Sequence, residues 1–345
     1  MKKTCMILMM ALLLFLPAHA SAKRVYRLTF ASYLMDTDPV VEQVYKPWLK
    51  KIEERSQGRI QCVFYNPNTI CNESEIFDAV AKGRVMAGTQ NAGRNPGLFP
   101  LAYTYCMGFT GCTTAKSGTY GYYRALEDHP ELLDDLKNYK PLWAHATGCP
   151  SITTIKKQIR TIEDMKGMHV FVPGGNAVII INALGGTGTQ MPMGDFYLSL
   201  QRNMGDACLA DYNMLSSLKI HEVAKYTTTY GNPSALCYAV MNKEFYAALP
   251  DDLKKIIDET TGEAMAMLIA DKTDNTTAEK QLLLEQQGQK FYTVPPEERQ
   301  KFVDAILEKA TPVILKPLSD TIDTNAYLQP SLHYSKLGEE KFGLK

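Results

Sequence analysis

Two hydrophobic periodicities alternate along this chain, and that alternation limits its fold more than any other feature of the sequence. Tyr26, Leu28 and Phe30 are spaced two apart, as in a strand, whereas the apolar residues of 40–52 recur on one face of a helix. Strand spacing returns at residues 60–64. Repeated switching between the two periods predicts an α/β protein, in which helices and sheets form separate layers.

A second group of strands and helices begins near Cys149. Residues 152–155, 169–172 and 235–240 have strand patterns, and residues 176–184 have the pattern of a buried helix. The last of these strands returns the chain to the first group. We therefore expect two α/β lobes, with residues 23–148 forming the first lobe, residues 149–240 the second, and about 241–345 completing the first.

Residues 251–287 contain no proline and a single glycine, Gly262. As one helix this segment would be about 55 Å long at 1.5 Å per residue, which is longer than one small lobe is wide. A helix of that length predicts a special role. The alternative is a pair of helices separated near Gly262.

Residues 1–22 have the pattern of a cleavable export signal. Lys2 and Lys3 precede an apolar run from Cys5 to Leu16, Pro17 ends that run, and small residues follow. A membrane anchor is the alternative, but the run is short compared with the roughly 20 residues that span a bilayer. The sequence thus predicts an exported chain.

Composition excludes several classes of function. The chain carries 37 basic and 37 acidic side chains without a basic stripe, which argues against a nucleic-acid partner. No metal or cofactor site is predicted, because no clustered Cys and His spacing occurs. Gly185 to Gly188 follow a helix instead of a strand, the reverse of a dinucleotide loop. His145 and Cys149 have no orienting acid nearby in the sequence, so an enzyme is not expected.

Seven of the eight cysteines follow the predicted signal. Export would permit disulfides, and Cys62 with Cys71 or Cys106 with Cys112 are close enough in sequence to pair. The odd number leaves at least one thiol unpaired in a single chain. Burial as small apolar side chains is the alternative for most of them.

Seven sequence fragments, in order and spacing, resemble one protein family across nearly all of the exported chain. That family comprises the periplasmic solute-binding proteins of TRAP (tripartite ATP-independent periplasmic) transporters. Each fragment alone is weak evidence, but the set is specific. The fragments are Gly58 to Ile60, Asn72 to Gly83, Pro96 to Leu101, Ile159 to Gly167, Pro192 to Gln201, Glu222 to Tyr226 and Met241 to Pro250.

The resemblance implies a two-lobed periplasmic-binding-protein-like fold with a ligand cleft between the lobes and a long bracing helix. It also implies a periplasmic receptor that captures a small organic anion, with aromatic and amino-bearing acids as candidates. Such a receptor delivers its ligand to the small and large membrane subunits of a TRAP permease. The alternative is a sensor that signals to a membrane kinase. A monomer is expected, with a dimer as the alternative.

Phe171 is where the chain departs from the family it resembles. An arginine typically occupies this position, two residues before the turn proline, and binds the ligand carboxylate. Phenylalanine cannot form those paired, charge-assisted hydrogen bonds. Its ring either lines the ligand pocket or packs in the core. Arg94, in the loop of residues 88–100, is the predicted replacement, although an exposed loop arginine without a ligand is the alternative.

Other candidates follow from the loops that present ligand-binding groups in related proteins. Asp211 opposite Arg94 would suit a zwitterion, and Tyr212 follows it; the alternative is that Asp211 only caps the next helix. Asn176 is predicted to begin a helix whose backbone donors favour anions. The weaker candidates for the pocket are Gln90, Asn91, Tyr33, His145 and Asn213.

Overall fold

The computed structural model describes residues 24–344, apart from the side chain of Arg94. The predicted export signal lies outside these residues. The strands are β1 Tyr26–Ser32, β2 Ile60–Tyr65, β3 Ala87–Asn91, β4 Tyr139–Ala146, β5 Ser151–Thr154, β6 His169–Val172, β7 Thr187–Gln190, β8 Ala207–Ala210, β9 Tyr226–Thr229, β10 Leu236–Asn242 and β11 Lys290–Thr293.

Short and long helices alternate with these strands. The helices are α1 Lys46–Arg55, α2 Ile76–Ala81, α3 Pro100–Met107, α4 Ala115–Asp128, α5 Gly175–Ala183, α6 Phe196–Gln201, α7 Tyr212–Ser217, α8 Ile220–Val223, α9 Lys243–Ala247, α10 Asp251–Glu259, α11 Glu263–Gln286, α12 Pro296–Ala305, α13 Thr311–Leu315 and α14 Thr324–Phe342. This mixture confirms the predicted α/β class.

The strands form two sheets. The first has five strands in the order β2-β1-β3-β10-β4, and the second has six in the order β11-β9-β5-β8-β6-β7. In the first sheet β10 runs antiparallel to its neighbours β3 and β4. In the second sheet β5 runs antiparallel to β8 and β9. The remaining pairs are parallel, as expected where helices connect strands on the faces of a sheet.

Aromatic side chains dominate one side of the first sheet. Phe30 from β1 packs against Trp48 from α1, with ring centroids 5.5 Å apart, and Trp48 meets Trp143 from β4 edge to face at 4.9 Å. All three are almost completely buried. Alternation along β1 and helical spacing along α1 bring these residues to one core, which is why the sequence pattern located both elements.

The segment 251–287 is divided into two helices, which corrects the expectation of one. Gly262 separates α10 from α11 with a φ of +83°, a conformation that glycine adopts without a steric penalty. Its amide donates to the Leu142 carbonyl at 2.7 Å, so the break is fixed to β4. Trp48 Nε1 also donates to Thr260 Oγ1 at 3.2 Å. The alternative of two helices is therefore the correct one.

The second of these helices, α11, contacts both lobes. Near its middle, the Asp274 carboxylate accepts from the amides of Ala115 and Lys116 at 2.8 and 3.0 Å, which caps α4 of the first lobe. Near its end, Leu284 is buried in the core beside the second sheet. The 24 residues of α11 span about 36 Å at 1.5 Å per residue, enough to brace both lobes.

The C-terminal third of the chain does not belong to the first lobe alone. Strand β11 pairs in parallel with β9 of the second sheet. Phe302 from α12 and Ile314 from α13 are buried in the core of that lobe. Helix α14 instead packs against α4, where Gly121 lies opposite the backbone of Tyr334. The predicted lobe boundaries thus omit the return of residues 290–315 to the second lobe.

Phe171 lies in the core of the second lobe. Its side chain is 1% exposed, and it packs against the rings of His169 and Phe196 at centroid distances of 5.2 and 6.4 Å. A Cβ atom on Gly205 would lie 2.7 Å from the Phe171 ring. The ring therefore fills space inside the lobe, and the expectation that it lines the ligand pocket is corrected to core packing.

The two lobes are connected by residues 147–150 and 230–235, and the second connection includes a close contact between glycines. The Gly111 amide donates to the Gly231 carbonyl at 2.7 Å. A Cβ atom on Gly231 would lie 2.7 Å from the Gly111 Cα, and the φ of Gly231 is +79°. Neither the space nor the backbone conformation accommodates a larger residue.

We expect Gly231→Ala to lower the free energy of unfolding by about 2–4 kcal/mol, from the left-handed backbone together with overpacking. Chemical denaturation followed by circular dichroism would measure the loss. Gly58→Ala is the matched control, because Gly58 has a φ of +74° but a Cβ atom there would have no neighbour within 4 Å. Equal losses in the two variants would show that the contact with Gly111 is unimportant.

We expect Phe171→Arg to lower the free energy of unfolding by about 3–5 kcal/mol, because an unpaired charge would enter the core. Phe171→Leu keeps the site apolar and should cost only about 1–2 kcal/mol. Urea denaturation of both variants would test the difference. A stable arginine variant that gained affinity for carboxylates would place residue 171 at the ligand site and contradict its core assignment.

Candidate functional site

The carboxyl ends of the parallel strands in the two sheets face each other. Strand β4 ends at Ala146, and after residues 147–150 the chain enters β5 at Ser151, which pairs with Ala210 at the carboxyl end of β8. In the other direction, residues 230–235 carry the chain from the end of β9 to the start of β10. Ligands of open α/β sheets bind beyond the carboxyl ends of the strands, so the candidate site is the cleft between these edges.

The first lobe presents a polar cluster at its edge, in which Tyr45, Thr89, His145 and Cys237 are buried and Tyr33 is half-buried. Cys237 Sγ donates to Tyr33 Oη at 3.4 Å. His145 pairs with Cys237 across β4 and β10, so both side chains project from the same face of the sheet. Burial lowers the pKa of His145 to about 3, which makes the imidazole neutral at physiological pH.

Three polar atoms of this cluster make no hydrogen bond within the described part of the chain. They are Tyr45 Oη, Thr89 Oγ1 and His145 Nδ1. The hydroxyls of Tyr45 and Thr89 are neighbours, but their geometry is not that of an ordinary hydrogen bond. Buried polar groups without partners are uncommon and require a water molecule or a ligand. These three atoms at the edge of the first lobe are therefore available to hydrogen-bond a water molecule or a ligand.

Two carboxylates, Asp38 and Asp211, lie on opposite sides of the cleft. Asp38 follows β1 and accepts from the Val40 amide at 2.8 Å, and Asp211 follows β8 and accepts from the Met214 amide at 2.8 Å. Burial raises the pKa of each carboxyl, and these amides partly offset the effect. Repulsion from Asp211 raises the pKa of Asp38 further. The Asp211 charge thus acts on the Asp38 carboxyl across the cleft.

Asp211 is exposed to solvent and yet surrounded by enough protein to be desolvated, as expected for a residue in the wall of an open cleft. It does cap α7 through Met214, as one sequence interpretation held. The cap hydrogen bond from the Met214 amide uses Oδ1. A carboxylate has further acceptor sites, so the cap and a ligand role are compatible.

Gln90 and Asn91 support the loop that follows β3. Gln90 Nε2 donates to the Glu73 carbonyl at 2.6 Å, and its Oε1 accepts from the Asn91 amide at 2.7 Å. Asn91 Oδ1 accepts from the Gly93 amide at 2.8 Å. These contacts fix the helical turn Ala92–Arg94 at the cleft edge, while the side chain of Arg94 lies outside the described structure. Gln90 and Asn91 therefore have structural partners of their own.

The predicted residues of the second lobe are divided in their roles. Asn176 Nδ2 donates to Tyr103 Oη at 2.7 Å, which links α5 to α3 of the first lobe. Tyr212 is buried, its hydroxyl lies 3.1 Å from Thr229 Oγ1, and its ring packs against Phe291 at 4.8 Å. The expectation that Tyr212 faces the ligand is thus replaced by a core position. Asn213 is exposed beside Asp211.

Sequence reasoning missed Asp38, Tyr45, Thr89 and Cys237. A usable signal existed for Asp38, because it precedes Pro39 in the first loop after a strand, where ligand-binding groups of α/β proteins collect. Tyr45 has the spacing of a core helix residue and gives no such signal. Thr89 and Cys237 lie within strands, and only the pairing of β3 with β10 brings them together.

Further properties of the described residues bear on the kind of site. Among residues 24–344, no group of three or more His, Cys, Asp or Glu side chains could hold a metal ion. The cysteines in this range are not joined by disulfides, so neither predicted pair is formed. Within the same range, every helix is too short or too polar to cross a membrane.

Comparison with known proteins identifies relatives over most of the chain. The ectoine/5-hydroxyectoine-binding periplasmic protein UehA of Ruegeria pomeroyi is 23% identical over 294 residues, which are 82% of this chain and 83% of that protein. The crystal structure of a TRAP periplasmic solute-binding protein from Desulfovibrio salexigens, an open complex, superposes with a TM-score of 0.81 at 21% identity, covering 92% of this chain and 98% of that one.

A second similar structure, a TRAP solute-binding protein from Rhodoferax ferrireducens with copurified benzoate, gives a TM-score of 0.74 at 21% identity, covering 92% of this chain and 99% of that one. These structures share the two-lobed fold. The family model for bacterial extracellular solute-binding protein, family 7, matches residues 30–313. The match confirms the resemblance to TRAP receptors, and the chain belongs to family 7 of the bacterial extracellular solute-binding proteins.

Proposed function

We propose that this protein is a periplasmic receptor that captures a small organic acid between its lobes and delivers it to a TRAP permease. The family match over residues 30–313 carries the proposal, since the family consists of solute-binding receptors. The protein acts as a monomer, without catalysis, and its partners are the small and large permease subunits. The pattern of residues 1–22, with Lys2 and Lys3 before the apolar run, directs its export.

Support for an organic acid comes from what similar structures contain. One from Rhodoferax ferrireducens holds copurified benzoate, one from a marine metagenome is specific for aromatic acids, and one from Bordetella bronchiseptica holds mandelate. A carboxylate is common to these ligands. In the present chain, the half-buried Tyr33 directly follows β1 at the cleft edge, and its ring suits an aromatic or other apolar body on the ligand.

The residue that binds the ligand carboxylate differs from the family's usual arginine. Phe171 is buried and apolar, so the anion must be bound elsewhere. We assign this role to Arg94, because its helical turn follows β3 at the cleft edge and is fixed there by Asn91. The amides at the start of α5, beside Asn176, provide a second set of donors for an anion.

Ligand capture involves hinge closure of the two lobes. The connections 147–150 and 230–235 are the hinge segments, together with α11, which contacts both lobes. A ligand favours the closed state only to the extent that it binds that state more tightly than the open one. Contacts from Arg94 on one side and from the second lobe on the other would provide this difference.

A thermal-shift screen tests the proposed function directly. Purified protein would be heated with carboxylates, sulfonates, amino acids and uncharged solutes. At least one carboxylate is expected to raise the melting temperature, because ligand binding to the native state stabilises it by mass action; at 100 times Kd the gain is about 2.7 kcal/mol. Stabilisation by neutral sugars or polyols alone would show that the ligand is not an anion.

We expect Arg94→Ala to weaken binding of the stabilising carboxylate by about 2–5 kcal/mol, because a charge-assisted contact that is buried on closure is lost. Isothermal titration calorimetry would measure the change. Arg84→Ala is the matched control, since Arg84 pairs with Asp78 at 3.1 Å on an exposed surface. Unchanged affinity in the Arg94 variant would assign the carboxylate to the start of α5 instead.

A further inference from the structure

We propose that the cleft binds a cationic nitrogen of its ligand between Asp38 and Asp211, so that the preferred ligand is an amino- or amidino-bearing acid. This inference rests on the proposed function and specifies the chemical class of its ligand. One carboxylate comes from each lobe. A single cationic group between them would contact both lobes at once, which is the condition for a ligand that drives closure.

The positions of the two acids follow from the topology. Asp38 lies in the loop after β1, and Asp211 follows the last residue of β8. Both strands end at the edges that face each other, because residues 147–150 connect β4 directly to β5. Each carboxylate accepts a backbone hydrogen bond that limits its direction: Asp38 from the Val40 amide, and Asp211, which caps α7, from the Met214 amide. A preorganised pair requires little ordering when the ligand binds.

No ion pair of either acid is found among the described side chains. The arginines and lysines that form ion pairs have other carboxylate partners, such as Arg59 with Asp252 and Lys157 with Asp164. The half-buried Asp38 and the exposed Asp211 repel each other, and this interaction is unfavourable unless a cation lies between them. The charge of the cleft wall therefore matches a positive group.

A separate observation at the same place is the Tyr45 hydroxyl. Tyr45 is 0% exposed, and its Oη has no hydrogen-bond partner within the described residues. Burial raises the pKa of this hydroxyl and the charge of Asp38 raises it further, so the hydroxyl lies on the same side of the first lobe as Asp38. Tyr33, which interacts with Asp38 in the same way, adds a second ring. Tyrosine faces and hydroxyl oxygens both attract an ammonium group.

The pair of Asp38 and Asp211 also explains how the cleft would reject acids that carry no cationic group. Closure around a ligand without a cation brings two carboxylates together across the cleft with nothing between them. An amino-bearing acid removes that repulsion and pairs its own carboxylate with Arg94. Specificity would then arise from a repulsive contact in the wrong complex as much as from an attractive one in the right complex.

Matched pairs of acids test the inference by calorimetry. The pairs are β-alanine with propionate, phenylalanine with phenylpropionate, and aminomethylbenzoate with toluate. We expect at least one amino-bearing member to bind roughly tenfold or more tightly than its partner, as for a charge pair desolvated on closure. Asp38→Asn and Asp211→Asn should each remove most of that preference. Asparagine also caps helices, so both variants should fold.

Asp323→Asn is the matched control, because Asp323 is an exposed residue that caps α14 through the amides of Asn325 and Ala326 and follows no strand of either sheet. It should leave the preference for the amine unchanged. Equal binding within every pair would overturn the inference while leaving the organic-acid receptor intact. Binding of neutral solutes alone would overturn both. Stabilisation by calcium ions alone, lost in the asparagine variants, would identify a metal site and also overturn the inference.

Discussion

The structure depends on two short crossings of the chain between its sheets. Residues 147–150 and 230–235 leave so little chain between β4 and β5, and between β9 and β10, that the carboxyl ends of the parallel strands must face each other. Helix α11 fixes this arrangement from the outside, since it caps α4 through Asp274 and buries Leu284 in the second lobe. The position of the cleft therefore follows from how the chain connects the two sheets. The residues of its walls lie at the ends of strands or directly after them.

Much of the fold was predictable because its cores use ordinary periodicity. Alternation at Leu28 and Phe30 and helical spacing at Trp48 correctly located β1 and α1. Helix α14 was not predictable in this way. It contains Pro330, and its buried positions include Ser331, Ser335 and Gly338, which give no hydrophobic stripe. The break at Gly262 was visible only as an alternative, because one glycine in a polar helical segment does not reveal whether its φ is positive.

The candidate site was less predictable than the fold. The loop of Arg94 and the cap at Asp211 could be located, because they follow strands that the pattern identified. The direction of a side chain within a strand depends on the register of pairing, and the sequence does not specify that register. This is why the sequence left Phe171 open between the pocket and the core, and why Thr89 and Cys237 were not recognised at the first-lobe edge.

The seam between α14 and α4 has a consequence for mutational tolerance. A Cβ atom on Gly338 would lie 2.0 Å from the Ser117 carbonyl oxygen, and one on Gly121 would lie 2.6 Å from the Tyr334 carbonyl oxygen. The two helices thus approach nearly backbone to backbone. In this seam the small and polar positions are the ones that cannot vary, while exposed leucines such as Leu337 can. Homologues with the same close contact between α14 and α4 would have small residues at these spacings. A hydrophobic pattern would not reveal this contact.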